Sequence, residues 1–485
     1  MRIEWLAVAC SCVLLTGCNL APDYQVPQTP IPAAYKEIGN WTTATPRDAL
    51  PRGNWWTLYG DKNLDGLEAQ LETNNPSLAE AVARYQAARG YLEEAQSGLF
   101  PTLTAGGHAD TDKQSDNRPL RSASQPTYYG DDLAGIGLDW DLDLWGRLRN
   151  EVAAGKYEAQ GAFAVTQAVR LSLQAQLAND FFALRGLDAQ AKLLDDSIRI
   201  YDRALALTQD RHDKGIASGL DVGRAETQSD NAKAQLADIR ARRALLEHAI
   251  ASLVGKPASD FSIAPVMVDY TIPNIPTAVP SLVLQRRPDV AAAERQVAAT
   301  NAGIGIARAA FYPDISLSAL AGFQNTGNDG LFTAPNAFWA LGPSAALTLF
   351  DAGRNEGRLA VAKAANNAAA AAYRRTVLHA FQDVEDGLSQ LNHLAEAADA
   401  QAASVKAATH TQDLALALYR NGALGFLDVV VAQTTALQAQ QVAISLQTRR
   451  LEASVNLIRA LGGGWTVKDV PEMAQGEGKP AGIHM

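Results

Sequence analysis

The stretch that decides the fold is Ile136-Gly137-Leu138-Asp139-Trp140-Asp141-Leu142-Asp143-Leu144-Trp145-Gly146-Arg147. Ile136, Leu138, Trp140, Leu142 and Leu144 alternate with Gly137, Asp139, Asp141 and Asp143, so the period is two, with one apolar face and one acidic face. A strand of an outer-membrane barrel reads this way, apolar to lipid and polar to the lumen. So does an amphipathic strand on a soluble core. A calcium loop does not fit, because Leu144 and Asn150 stand where that loop needs glycine and glutamate.

Three more segments carry the pattern. Ile315, Leu317, Ala319, Ala321 and Phe323 alternate against Ser316 and Ser318, and Trp339, Leu341, Ala345, Leu347 and Leu349 form a partner run. Thr102 to Asp110 is the weakest of the set. Strands are therefore expected at about 102–110, 133–145, 314–323 and 338–350. In lipid every backbone polar group must be paired, so an open sheet is forbidden, and the smallest closed barrels have about eight strands. The strands must then join those of other copies. Two copies would give about eight and three about twelve, and periodicity does not choose.

Working outward, prolines divide the chain into matching halves. Pro126 to Pro257 and Pro343 to Pro471 enclose proline-free blocks of 130 and 127 residues. Asn75-Pro76 and Arg287-Pro288 each open an Ala-rich helical stretch that ends 25 residues later, at Phe100-Pro101 and Tyr312-Pro313. Gly146-Arg147 matches Gly353-Arg354, and 69 residues on, Gly215 to Asp221 matches Gly422 to Asp428. The chain is a tandem duplication. Runs rich in Ala, Leu, Gln, Arg and Glu predict helices over about 147–213, 219–254, 354–420 and 426–461. The longest would span on the order of 100 Å. Gly462-Gly463-Gly464 is read as a left-handed cap on the last one.

The expected organisation is a signal peptide over 1–17, an N-terminal extension over 18–62, repeats over 63–256 and 288–464 about a Pro-rich linker at 257–287, and a tail from 465 to 485. Arg2, an apolar run from Trp5 to Leu15 and a small-residue cleavage site make a secretory signal. Its ending, Leu15-Thr16-Gly17-Cys18, resembles a bacterial lipobox in which Cys18 is acylated, and Asn19 after it favours outer-membrane sorting. Cleavage would remove Cys10 and Cys12, leaving no free thiol and no disulfide. Beyond this segment no apolar run approaches the ~18 residues of a transmembrane helix. A formal charge of −10 argues against nucleic-acid binding.

Taken together, these features resemble the TolC-like outer membrane efflux proteins, in their lipoprotein (NodT-type) branch serving resistance-nodulation-division pumps. The resemblance is carried by Leu15 to Asn19, Pro22-Asp23-Tyr24, Trp55-Trp56, Asn75-Pro76-Ser77-Leu78, Phe100-Pro101, Asp143 to Arg147, Arg286-Arg287-Pro288-Asp289, Tyr312-Pro313 and Leu349 to Arg354. It implies a mainly α chain with a membrane β-barrel portion, a homotrimer whose twelve strands form one outer-membrane barrel above a periplasmic α-helical barrel. It further implies a periplasmic adaptor protein and an inner-membrane pump as partners, outer-membrane lipid around the strands, and an exit duct for drugs or other toxic organics.

The resemblance places a periplasmic gate at the helix-turn-helix tips, Gly215 to Asp221 and Gly422 to Asp428. It implies an acidic ring from Asp428, a stabilising role for Asp221 and interhelical contacts from Tyr419. Leu424 stands where some members have a basic residue and Val431 where some have a second acidic ring, which favours an apolar plug of Leu424 and Phe426 over a salt-bridge latch. Asp221 and Asp428 also read as helix N-terminal residues that stabilise the dipole. Asp139, Asp141 and Asp143 are expected to line the barrel lumen.

No catalysis, metal site or cofactor is expected. The seven histidines are scattered, and neither a phosphate-cradling glycine loop nor a Gly-x-Ser-x-Gly elbow is present. Four methionines, two of them at the chain ends, favour organic cargo over copper or silver. Two other readings stay open: a duct for ABC-driven protein secretion, and a lipid-anchored periplasmic coiled-coil scaffold that does not span.

Overall fold

The computed structural model describes residues 18–37, 54–119, 122, 124–275, 286–327, 330–465 and 467–471. The signal segment lies outside them. Each repeat opens with a 22-residue helix, α2 (Pro76–Ser97) and α5 (Pro288–Ala309). In the first repeat α1 (Lys62–Asn74) precedes it, capped by Asp61, whose carboxylate accepts from Asn63 N at 2.7 Å. A hairpin follows in each: β1 (Thr102–Lys113) with β2 (Tyr128–Asp141), and β3 (Asp314–Asn325) with β4 (Ala337–Ala346). Then come a 67-residue helix, α3 (Arg147–Asp213) or α6 (Arg354–Arg420), and a 35-residue helix, α4 (Gly219–Leu253) or α7 (Phe426–Ala460).

The turn between long helices is built identically in both repeats. Gly215 and Gly422 adopt φ of 74° and 77°. That left-handed backbone lets Ile216 N reach Arg211 O at 2.8 Å and Ala423 N reach Leu418 O at 2.9 Å, which satisfies carbonyls the ending helix leaves over.

Two hairpins make one antiparallel sheet, ordered β1-β2-β3-β4, with β2 paired to β3 across the repeats. The strand ends differ from the sequence expectation. β2 starts at Tyr128 and stops at Asp141, because the Asp143 carboxylate turns to accept from Leu148 N and Arg149 N, at 3.2 and 2.9 Å, and caps α3. β4 stops at Ala346, leaving Leu347 and Leu349 beyond it, and Asp351 caps α6 through the amides of Arg354 and Asn355. Alternation thus runs past the strand into the turn that starts the next helix.

The chain forms two compact units. One comprises residues 1–27, 84–162 and 293–373, and holds the sheet with the helix segments joined to it. In it the first described residues are strapped to α3 and α5. Arg149 donates to Cys18 O at 3.2 Å, Asn150 to Asn19 at 3.0 Å, Arg308 to Leu20 O at 3.0 Å and Asn301 to Pro22 O at 2.8 Å. Tyr24 hydroxyl donates to Glu294; burial first, and that bond second, push the phenol pKa up.

The other unit comprises 28–83, 163–292 and 374–485. Its apolar core includes Leu187, Leu194, Tyr201, Leu236, Ile239 and Leu437, drawn from α3, α4 and α7. The Pro-rich linker is held by charge. Arg185 donates to Ala264 O at 2.8 Å, while its partner Asp188, itself buried, also accepts from Arg243. At the end of α7 the left-handed Gly462 comes so near Arg286 that a Cβ there would lie 2.0 Å from its carbonyl oxygen.

Candidate conduit and gate residues

Register decides which strand residues share a face. Asp139 pairs with Thr102 and Ser318, Ser318 with Gly342, and Ser316 with Asp141 and Ser344. These positions and their alternates make the more polar face: Thr102, Thr104, His108, Asp110 and Asp112 on β1, Asp131, Asp139 and Asp141 on β2, Ser316, Ser318 and Gln324 on β3, and Ser344 on β4, with Leu133, Leu320 and Phe338 interspersed. Ser318 donates to Asp139 at 2.9 Å, and the Ser316 and Ser344 hydroxyls lie 2.8 Å apart. The opposite face carries Leu103, Ile136, Leu138, Trp140, Leu317, Phe323, Leu341 and Trp339, with Trp339 79% exposed. Leu103, Ile136 and Leu341 on the same face are exposed too, and an open apolar surface of that extent is meant for something other than water.

Of the three aspartates expected on the lumen side, Asp139 and Asp141 share this polar face. Asp143 does not. It lies past the strand, committed to the start of α3 and to Arg149 Nε at 3.0 Å. Asp141 pairs with Arg147 at 3.0 Å. β1 and β4 are the outer strands of the sheet, and their outer edges have no partner strand among the described residues.

At the helix tips the expected gate residues separate by role. Asp221 is the third residue of α4 and forms a capping box with Ser218, which donates to it at 2.8 Å, and it pairs with Arg224 at 3.4 Å. Asp428 occupies the matching position on α7, but Gly425 at its cap offers no side chain. Asp428 is exposed and has no hydrogen-bond or ion partner among the described residues. Leu424 is half-buried.

Phe426 departs from the expected plug. It is 2% exposed, packed with Ala204, Ala225, Val429 and Tyr419, its ring 5.2 Å from that of Tyr419. The side chain is spent inside the helical hairpins, and Leu427 and Val431, 50% and 57% exposed, are apolar groups presented outward in the first turns of α7. Tyr419 does join helices, and its partners are residues the sequence reading did not single out. Its hydroxyl lies 3.2 Å from Thr208, its carbonyl accepts from Arg211 at 2.6 Å, and the Arg211 guanidinium stacks over its ring at 4.7 Å. Thr208 and Arg211 stand at helical i, i+3 spacing just before the Gly215 turn, a weak signal that needed the fold to interpret.

Among the described residues no cluster of His, Cys, Asp or Glu is placed to hold a metal ion, and no helix is long and apolar enough to cross a membrane. Cys18 is exposed and in no disulfide.

Comparison with known proteins bears on this arrangement. The family model described as "Outer membrane efflux protein" matches twice, over residues 67–256 and 279–463, once per repeat. The chain is 32% identical over 486 residues to the "Toluene efflux pump outer membrane protein TtgF" of Pseudomonas putida, covering 98% of this chain and 100% of the relative. It is 28% identical to the "Cation efflux system protein CusC" of Escherichia coli O6:H1, covering 94% and 98%. The solved outer-membrane channel OprN superposes with a TM-score of 0.84 at 28% identity, covering 92% of this chain and 100% of that one.

Proposed function

The chain belongs to the outer membrane efflux protein family, and from that premise we propose that it is the passive exit duct for small organic molecules in a tripartite pump. It is an efflux channel of the outer membrane extending into the periplasm. The observation that carries the reading is the sheet: four strands with one apolar and one more polar face, and two outer edges without a partner strand among the described residues. Such a sheet is stable in lipid only if its edges meet those of other copies. Three copies would give about twelve strands, the apolar face to lipid and the acidic face to a lumen. The duct has no chemistry of its own, and the driving energy comes from a resistance-nodulation-division pump reached through a periplasmic adaptor.

Cys18 carries the lipid anchor in this reading, its carbonyl held by Arg149 and its neighbour Asn19 by Asn150. Asp428 contributes an acidic ring at the closed tip, and Leu424 narrows it. The cargo is placed among organic molecules because no methionine or thiolate cluster is available to pass soft metal ions from ligand to ligand.

Cross-linking in living cells that carry a tagged copy, followed by purification and mass spectrometry, tests the assignment. Recovery of an adaptor with a resistance-nodulation-division pump is the expected result. Recovery of an ABC transporter would move the cargo to proteins, and cell-wall proteins with no pump would remove the duct.

A further inference from the structure

Where β2 passes into α3 and α5 into β3, the sheet-bearing unit has a half-open cavity of about 230 Å³. Trp145 and Tyr312 form part of its wall, their rings stacked with centroids 4.8 Å apart. The indole is fixed in place by donating from Nε1 to Pro313 O at 2.8 Å. Leu142, Leu144 and Leu148 supply apolar lining.

The charged groups of the cavity are unequal. Asp141 is paired with Arg147, and Arg147 is shared with Glu151 at 3.2 Å. Asp143 is taken by the α3 amides and Arg149. The carboxylate of Asp314, the first residue of β3, is exposed and has no hydrogen-bond or ion partner among the described residues. By register it shares the polar face with Asp141 and Ser316. Two of these carboxylates are held by Arg147 and Arg149, and the uncommitted Asp314 leaves a negative charge that repels an anion. A bare divalent ion is poorly served as well, since two of the three carboxylates are already occupied.

An aromatic wall, an apolar floor and one uncommitted carboxylate are what an organic ammonium needs: a π face and carbon surface for its body, an anion for its charge. We propose that this cavity is a binding site for organic monocations, primary or quaternary ammonium groups attached to one ring, at the base of the sheet's polar face. The proposal rests on the reading of that face as the wall of a conduit, and makes cationic organics a cargo class that pauses there. Tyr312 supplies the exposed ring and Asp314 the charge.

The test is isothermal titration of the detergent-purified full-length protein with benzyltrimethylammonium chloride, using neutral benzyl alcohol for comparison. Saturable binding at one ion per chain, absent for the alcohol, is expected. Asp314→Asn and Tyr312→Leu should each weaken it roughly fivefold while elution volume and thermal unfolding stay unchanged. No saturable binding, or binding that neither variant alters, overturns the site. Bilayer conductance of the same preparation separates the two readings. A protein that conducts but does not bind overturns the cavity alone, and one that binds but does not conduct overturns its role in transport.

Discussion

At the scale of single residues, the two repeats put the same residue to different uses. Asp221 and Asp428 sit at equivalent positions, yet Asp221 is tied into its own capping box while Asp428 is exposed and has no partner among the described residues. A gate made of charge needs the second kind. Asp428→Ala, at normal abundance, should therefore raise the leak conductance of the isolated channel, and unchanged conductance would count against an Asp428 gate. Phe426 belongs to the hairpin interior, so Phe426→Ala should cost about 3–5 kcal/mol of local packing. The expected outcome is a lower unfolding temperature and faster proteolytic cutting near the 422–425 turn. A plug at the same position would instead show as a conductance change with the tip still protected.

Glu68 on α1 poses a different residue-scale question. It is fully buried, and neither carboxylate oxygen has a hydrogen-bond partner among the described residues. Burial first, then the charges of Glu72 and Asp65, raise its pKa well above the ordinary carboxylate range. Between the unfolded pKa and this raised one, the folded protein holds a proton that the unfolded chain has lost. Stability therefore falls as pH rises through that window. Glu68→Gln keeps the hydrogen and should flatten the decline, measurable as unfolding temperature against pH. An unchanged slope would show that Glu68 is ionised when folded.

At the scale of elements, the long helices were legible because helix formers outweigh the interior glycines, Gly155, Gly161 and Gly186 in α3 and Gly357 and Gly387 in α6. Strong helix formers run for dozens of positions, and the glycines that follow them, Gly215, Gly255, Gly422 and Gly462, have positive φ. Strand ends were less legible. Alternation of side chains is a property of sequence, whereas a strand stops where backbone groups find another partner, and Asp143 and Asp351 provide one for the helix amides. The tip showed a third limit. Nothing in the order Gly425-Phe426-Leu427 says which apolar side chain turns inward, and the Thr208, Arg211 and Tyr419 cluster joins positions more than 200 residues apart. Within the sheet, Gly135 faces Gly322 directly, and a Cβ on Gly322 would lie 2.4 Å from Ala134 O. Gly322→Val should part the two repeats at this pairing, with a lower yield of assembled protein and a lower unfolding temperature. Wild-type assembly would mean the backbones can separate at no cost.

At the scale of the whole molecule, duplication explains why one chain carries everything twice: two hairpins give four strands, and two long hairpins of helix give two tips. Neither hairpin alone could hide its edges in lipid. The closed form then follows from copies rather than from a longer chain, which is why the sequence could demand an oligomer without naming its size. The acidic residues of the polar face, among them Asp110, Asp131, Asp139 and Asp141, would give the lumen a negative wall.

The most direct test of this architecture is the current carried by the purified protein in a planar lipid bilayer under a potassium chloride gradient. Stepwise, ohmic channels whose reversal potential is displaced toward potassium, with a smaller displacement in Asp139→Asn, are the predicted result. A protein that inserts but carries no current, or one that selects chloride, would contradict a conduit lined by the acidic face.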